Sequence, residues 1–140
     1  MTIAGTAIPG ALYTRLAGDS TLRGMLADGS ASVFDTGVPN SVSYPYVRFN
    51  KMGGAPDNTT PSDMRSYLYS VVGFSEVSQS EANQIDNRID DLLNGYGLPL
   101  QTYTTIWMVR ETELPNIVEH PDDDVLIYRS GALYRIIIDS

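Results

Sequence analysis

The sequence predicts an α+β domain: a mixed, mainly antiparallel sheet with helices packed on one face. Three observations carry that prediction. Helical spacing of apolar residues appears in two short stretches near the start and in one long stretch, 78–95. Runs of alternating, tyrosine-rich and β-branched residues occupy the spaces between and after them. The order is two helical turns, three strands, one long helix and then two or three strands, a segregation typical of a sheet with helix packed on one side. At 140 residues, with no repeat or linker, the chain suits one domain, 1–140.

Each element has its own signal. Pro9 suits the first turn of a helix carrying Ile8, Leu12 and Leu16, with Gly18 as the stop. Asp19 or Ser20 caps a second short turn with Leu22, Met25 and Leu26, closed by Asp28-Gly29. "SVFDTG" reads as a brief strand, and "YPYVRF" as a longer one with Tyr46 and Arg48 on one face, Val47 and Phe49 on the other. Pro45 places that strand's start at an entry or edge position. Residues 53–63, "GGAPDNTTPSD", are dense in turn formers and predict a long flexible loop. "MRSYLYSVVGF" alternates Tyr67, Tyr69 and Val71 with Leu68, Val72 and Phe74, so both faces are apolar.

The long helix starts at a capping box, Ser78 with Glu81, in which each side chain serves the other's backbone N–H. Ala82, Ile85, Ile89, Leu92 and Leu93 form its apolar stripe, and Asp86, Arg88, Asp90 and Asp91 its charged, solvated side. Gly95 ends it. "QTYTTIWMVRE" predicts a strand with Tyr103, Thr105, Trp107 and Val109 on one side. "ELPNIVEH" is a connection to the acidic run, and "IYRSGALYRIIID" is either a hairpin about Ser130-Gly131 or one long strand kinked at Gly131.

Composition closes several routes to chemistry. The chain has no cysteine, which removes disulfides, thiolate metal sites and cysteine nucleophiles. Its formal charge is −8 and Lys51 is its one lysine, a balance unsuited to tight binding of a phosphate backbone. Phosphate-cradling glycine motifs and serine-nucleophile elbows are absent from the sequence. The opening residues lack a signal peptide's basic flank and apolar core. No stretch reaches the roughly 20 apolar residues of a membrane span. A cytoplasmic site of synthesis, no membrane and no cofactor are therefore expected.

The concentrated feature is "EHPDDD": Glu119, the single histidine His120, Pro121, and Asp122, Asp123 and Asp124. Consecutive aspartates in an extended segment point to alternate sides, so three in a row do not converge on one hard cation. The calcium-loop spacing is not met either. A solvated loop before a strand and a contact with another subunit stay open as readings. The strand tyrosines, Tyr44, Tyr46, Tyr67, Tyr69, Tyr103, Tyr128 and Tyr134, suit core or interface positions better than base stacking, since few basic residues accompany them.

The order of segments resembles the tail terminator and tail-completion proteins of long, flexible-tailed phages. "GALYTRLAGDSTLRGMLADG" looks like their opening helices, "VFDTGVPNSVSYPYVRF" like the strand, turn and strand that follow, and "YLYSVVGFS" with "SQSEANQIDNRIDDLLNG" like their central strand-to-helix unit. "EHPDDDVLIYRSGALYRIIID" resembles the acidic turn and last strand of the lambda tail terminator type. The resemblance implies a structural virion protein without catalysis. It implies a ring of six on the tail tube's end that stops polymerisation of the major tail protein and offers a surface to the head–tail connector or stopper protein. DNA would pass through the lumen without specific binding; six copies at −8 give −48 per ring, a charge that repels it. Under this resemblance Asp122, Asp123 and Asp124 are contact or lumen residues, with Arg48, Arg65 or Arg110 as their partners across the interface. Asp57 and Asn58, in the 53–63 loop, would become ordered when tube or connector docks. Without the resemblance, the residues also suit a monomeric acidic interaction module; a head–tail connector component is the further alternative.

Overall fold

The computed structural model describes residues 4–59, 62–100, 104–122 and 124–139. Two short helices, α1 (Ile8–Ala17) and α2 (Ser20–Met25), precede the strands β1 (Val33–Asp35), β2 (Tyr46–Thr59) and β3 (Ser62–Ser75). The long helix α3 (Gln79–Leu93) follows, then β4 (Thr104–Glu113), β5 (Val118–Asp122) and β6 (Val125–Asp139). Pro9 stands in the first turn of α1, where a missing N–H breaks no helix bond, and Asp19 caps α2 by accepting the Leu22 N–H at 2.8 Å.

The six strands form one sheet in the order β1-β2-β3-β6-β4, with β5 also on β6. The β1–β2 pair is parallel and the others are antiparallel. This is the mixed, mainly antiparallel α+β arrangement that the segregated elements predict.

Pairing register separates the two faces. Phe49, Val71 and Ala132 lie in one cross-strand row, and Tyr67, Ile136 and Met108 in another. These residues join Ile8, Leu12 and Leu16 of α1, Leu22 of α2, and Ile85, Ile89 and Leu93 of α3 in the principal core. All three helices therefore cover the same side. Gly73 allows the close approach of α3, because a Cβ there would stand 2.6 Å from Ile85 Cγ2. On the opposite face Tyr46 stacks on Phe74 at 4.7 Å, and these two pack with Val72 and Ile127 under Val38, Val42 and Tyr44 of the connection before β2. Burial pushes the Tyr46 hydroxyl's pKa up to about 12.

Four local expectations need correction. Residues 53–59 and 62–63 are paired strand rather than loop, in register from Gly53↔Leu68 to Thr59↔Ser62. The glycines, Pro56 and the polar residues mimic a turn, but β3 gives this backbone a complete ladder, and Pro56 sits on an edge strand where its missing N–H breaks no outward bond. Gly54 lets the Tyr67 ring lie against the backbone, at 2.7 Å from where a Cβ would be. Thr60 and Pro61, the rest of the expected loop, lie outside the described residues. Next, of the two readings of "IYRSGALYRIIID" the hairpin falls and the single long strand holds: β6 is one continuous strand whose pairing with β3 runs unbroken through Ser130 and Gly131. A bulge between Thr105 and Trp107 puts Thr105 in register with Ile138 but Trp107 with Ile137, so these two do not share a side. Tyr103 lies outside the described residues.

The capping box is the fourth. Ser78 Oγ accepts the Glu81 N–H at 3.1 Å as expected. The Glu81 carboxylate does not return to Ser78, because Ser75 Oγ stands between and donates to it at 2.9 Å. Ser75 Oγ in turn accepts the N–H groups of Val77 and Ser78. A buried serine at the end of β3 thus completes the start of α3.

Candidate assembly surfaces

Arginine pairing sorts the charged surface into two kinds of site. Arg110, on β4, faces the helix layer in the row of Tyr134. Both its terminal nitrogens donate to the Asp86 carboxylate at 2.9 Å, and Nη1 also donates to the Tyr134 hydroxyl at 3.1 Å. Ser130 Oγ donates to the same carboxylate at 2.9 Å. Asp86 and Arg110 side chains retain only 8% and 17% exposure, so this is a fixed clamp of α3 on the sheet. The Asp86 hydrogen bonds raise the Arg110 pKa, and burial raises that of Tyr134. Arg110 is thereby engaged within its own chain.

The same pair corrects the solvated side assigned to α3. Asp86 follows Ala82 by four residues and precedes Ile89 by three, so it falls on the buried stripe itself. Spacing alone signals that placement; what the sequence conceals is the partner, 24 residues further on. Above the clamp lies a cavity of about 330 Å³ whose walls are polar: Asn83, Asn87, Glu113 and Asn116 with Asp86 and Arg110. Leu114 and Gly131 also line it. Sequence reading missed this cleft because its residues come from α3, β4, β6 and the connection between β4 and β5.

Further ion pairs tie elements together. Arg88 holds Asp19 through Nε at 2.9 Å and Nη2 at 2.8 Å, joining α3 to the cap of α2, and these hydrogen bonds lower the Asp19 pKa. Arg135 and Glu111 pair across β6 and β4, lowering the Glu111 pKa in the same way. Arg129 lies 3.6 Å from Glu119. By contrast, among the described residues Arg15, Arg23, Arg48, Lys51 and Arg65 form no salt bridge, though Arg15 donates to the Leu92 carbonyl. Three of these five lie on the β2–β3 hairpin. Arg48 is half-buried, with its guanidinium carbon 5.7 Å from the Phe74 ring centre and its Nε buried without a hydrogen-bond partner. Lys51 reaches to 5.3 Å from the Tyr67 ring centre. Arg65 is exposed.

Glu119 to Asp122 belong to β5, not to a loop, and the backbone of Asp122 is in register with Val125. Asp124 is exposed at the turn, while Asp123 and the side chain of Asp122 lie outside the described residues. Asp57 and Asn58 occupy β2, in register with Met64 and Asp63, and their side chains are likewise outside the described residues. Among the described residues Asp124 forms no salt bridge with Arg48, Arg65 or Arg110. Among the described residues no group of three or more His, Cys, Asp or Glu is placed to hold a metal ion, and no helix is long and apolar enough to cross a membrane.

A family profile described as "Tail completion protein gp17" matches residues 10–139. No curated protein matches by sequence. A chain in the solved structure of the virion of a native gene transfer agent particle is similar over 100% of both chains, with 15% identity and a TM-score of 0.79. A second solved structure is similar over 96% of each chain at 14% identity, with a TM-score of 0.58. At these identities the two structures speak for the fold, and the profile for the family.

Proposed function

The chain belongs to the tail completion protein gp17 family, structural tail proteins of phage-like virions, and on that premise we propose that it closes the tail tube as a ring of six. The ring ends polymerisation of the major tail protein and presents its other side to the head–tail connector or stopper protein. It performs no catalysis, assembles in the host cytoplasm, and resides at the head-proximal end of the tail. DNA passes through its lumen, and the net charge of −8 per chain keeps the passing phosphate backbone from adhering.

The observation that carries this reading is the extent of the family match. Residues 10–139 include nearly all of α1 and every later element of the fold. A ring needs one surface on each copy to meet a different surface on the next, with a rotation that closes.

The test is tube growth. Purified major tail protein is polymerised with and without this chain, and tube lengths and tube ends are recorded by electron microscopy. Shortened tubes whose ends carry a six-fold ring are expected. Tubes of unchanged length with bare ends would overturn the reading.

A further inference from the structure

We propose that Asn94-Gly95 is a modification site: a spontaneous deamidation site that the fold holds inert, and whose reaction uncovers the outer edge of β4.

The chain has seven asparagines, and only Asn94 precedes a glycine. Deamidation begins when the backbone nitrogen of the following residue, having lost its proton to a base, attacks the asparagine Cγ. The new N–Cγ bond closes a five-membered imide while the Cγ–Nδ2 bond breaks, and Nδ2 leaves as ammonia. Water then opens either imide carbonyl, giving aspartate or isoaspartate. Beyond water and base the step takes no other reactant. Glycine offers the least hindered nitrogen, since no Cβ stands beside it. Asn94 and Gly95 are both exposed, so water and hydroxide reach them.

The fold opposes the first step by geometry. Asn94 caps the C-terminus of α3 at φ −67° and ψ 118°, and Gly95 follows at φ 79°, a conformation suited to glycine. Ring closure needs the Gly95 nitrogen to stand beside Cβ, as seen along the Cα–C bond of Asn94. At a ψ of 118° it stands beside Hα instead, turned well away from Cγ. Three hydrogen bonds hold that arrangement. The Asn94 N–H donates to the Asp90 carbonyl at 3.0 Å, and the Gly95 N–H donates to the Met108 carbonyl at 2.7 Å. The Arg110 N–H donates to Asn94 Oδ1 at 3.0 Å. The nucleophile's proton is thus engaged and its target is anchored to β4. The bond to Oδ1 also polarises the side-chain carbonyl, which would assist attack, so protection comes from position and not from electronics.

The same bonds close the sheet on this side. β4 is the outermost strand, beyond β6. Met108 and Arg110 stand two residues apart, so their backbone groups point out of the same edge. Gly95 gives Met108 a donor and Asn94 gives Arg110 an acceptor, as a neighbouring strand would. An open edge invites pairing with another chain, and a connection laid over it prevents that. Isoaspartate lengthens the main chain by one carbon at this point and makes the former main-chain carbonyl a side-chain carboxylate. Gly95 and residue 94 then no longer fit the spacing of Met108 and Arg110 together. Because the reaction needs no partner, it accumulates in any copy that is not replaced.

Two measurements test the site. The full chain is incubated in mildly alkaline buffer, folded or in guanidinium chloride, and digests are followed by mass spectrometry that separates the aspartate and isoaspartate forms. The other asparagines are references within each digest. Unfolded, Asn94 is expected to react faster than any of them, and folding is expected to slow it at least tenfold. An Asn94 that is unreactive when unfolded, or that reacts equally fast when folded, would overturn the site. The isoaspartate form, refolded and purified, is then compared with the parent by amide hydrogen exchange. Exchange at the Arg110 N–H is expected to quicken at least tenfold, while Ile85 and Ile89 within α3 keep their parental rates. Parental exchange at Arg110 would overturn the uncovering of the edge. Should the isoaspartate form not refold, Asn94→Ala removes the acceptor alone and is read in the same way: faster exchange at Arg110 supports the cover, and parental exchange sinks it.

Discussion

The helix-covered side of the sheet and its two opposite corners treat charge in contrary ways. Under α3, Arg110 and Asp86 are desolvated and joined by paired hydrogen bonds, with Tyr134 and Ser130 completing the set. At the corners, Lys51 and Arg65 form no salt bridge among the described residues, and Asp124 is exposed at the turn before β6. A buried ion pair costs desolvation that only near-ideal geometry offsets. An exposed charge costs little in the monomer and remains available to a second molecule. The same residue type is therefore structural on the covered side and solvent-facing at the corners. Arg110 and Arg65 show that arginine content alone does not distinguish the two.

The sharpest way to break this comparison is Arg110→Ala. It leaves the Asp86 carboxylate buried with only Ser130 and the groove's polar walls, and should lower stability by about 3–5 kcal/mol. Urea unfolding measures it. A loss below about 1 kcal/mol would mean that the covered side is no more dependent on its charges than the corners are. Second in size is Gly73→Ala, whose Cβ would press on Ile85 Cγ2 and lift α3 from β3. About 1–3 kcal/mol is expected. Combined with Ile85→Ala, the loss should fall short of the sum of the two single changes, since removing the methyl relieves the clash. Strict additivity would show that α3 does not sit on that glycine.

How much of this was legible follows from the range over which each signal acts. Helix caps and stripes are local: Asp19, Ser78 and the Ile85–Ile89–Leu93 stripe could be read from neighbours three or four residues away. The sheet's membership was also readable, because Tyr67, Tyr69, Val71 and Ile136 alternate with a period of two. Residues 53–59 were not readable, since their strand state comes from a ladder with 62–68 and the local composition argues for a turn. Bulges are invisible for the same reason, and that at Thr105 to Trp107 sends neighbouring alternate residues to opposite sides. At the candidate site the acidic run announced itself in sequence, while the cations did not separate. Nothing near Arg110 in the chain reveals that Asp86 engages it.

The smallest predicted effect asks whether charge pairs on the covered side act even where water reaches them. Arg88 ties the α2 cap Asp19 to α3, with side chains 30% and 16% exposed. Its hydrogen bonds hold the Asp19 pKa below the ordinary 3.8. The folded state therefore binds that proton more weakly than the unfolded chain does. The pair's contribution is fully present above pH 3.8 and is lost as pH falls through the lowered folded value. Arg88→Ala should reduce stability at neutral pH and flatten its decline in acid, so that parent and variant converge at low pH. Solvent screening keeps the difference small, and added salt should shrink it further. Parallel acid profiles, offset by a constant amount, would assign the effect of Arg88 to packing of its aliphatic stem instead of its charge. In that case the division between covered and open charges would apply only to fully desolvated pairs such as Asp86 and Arg110.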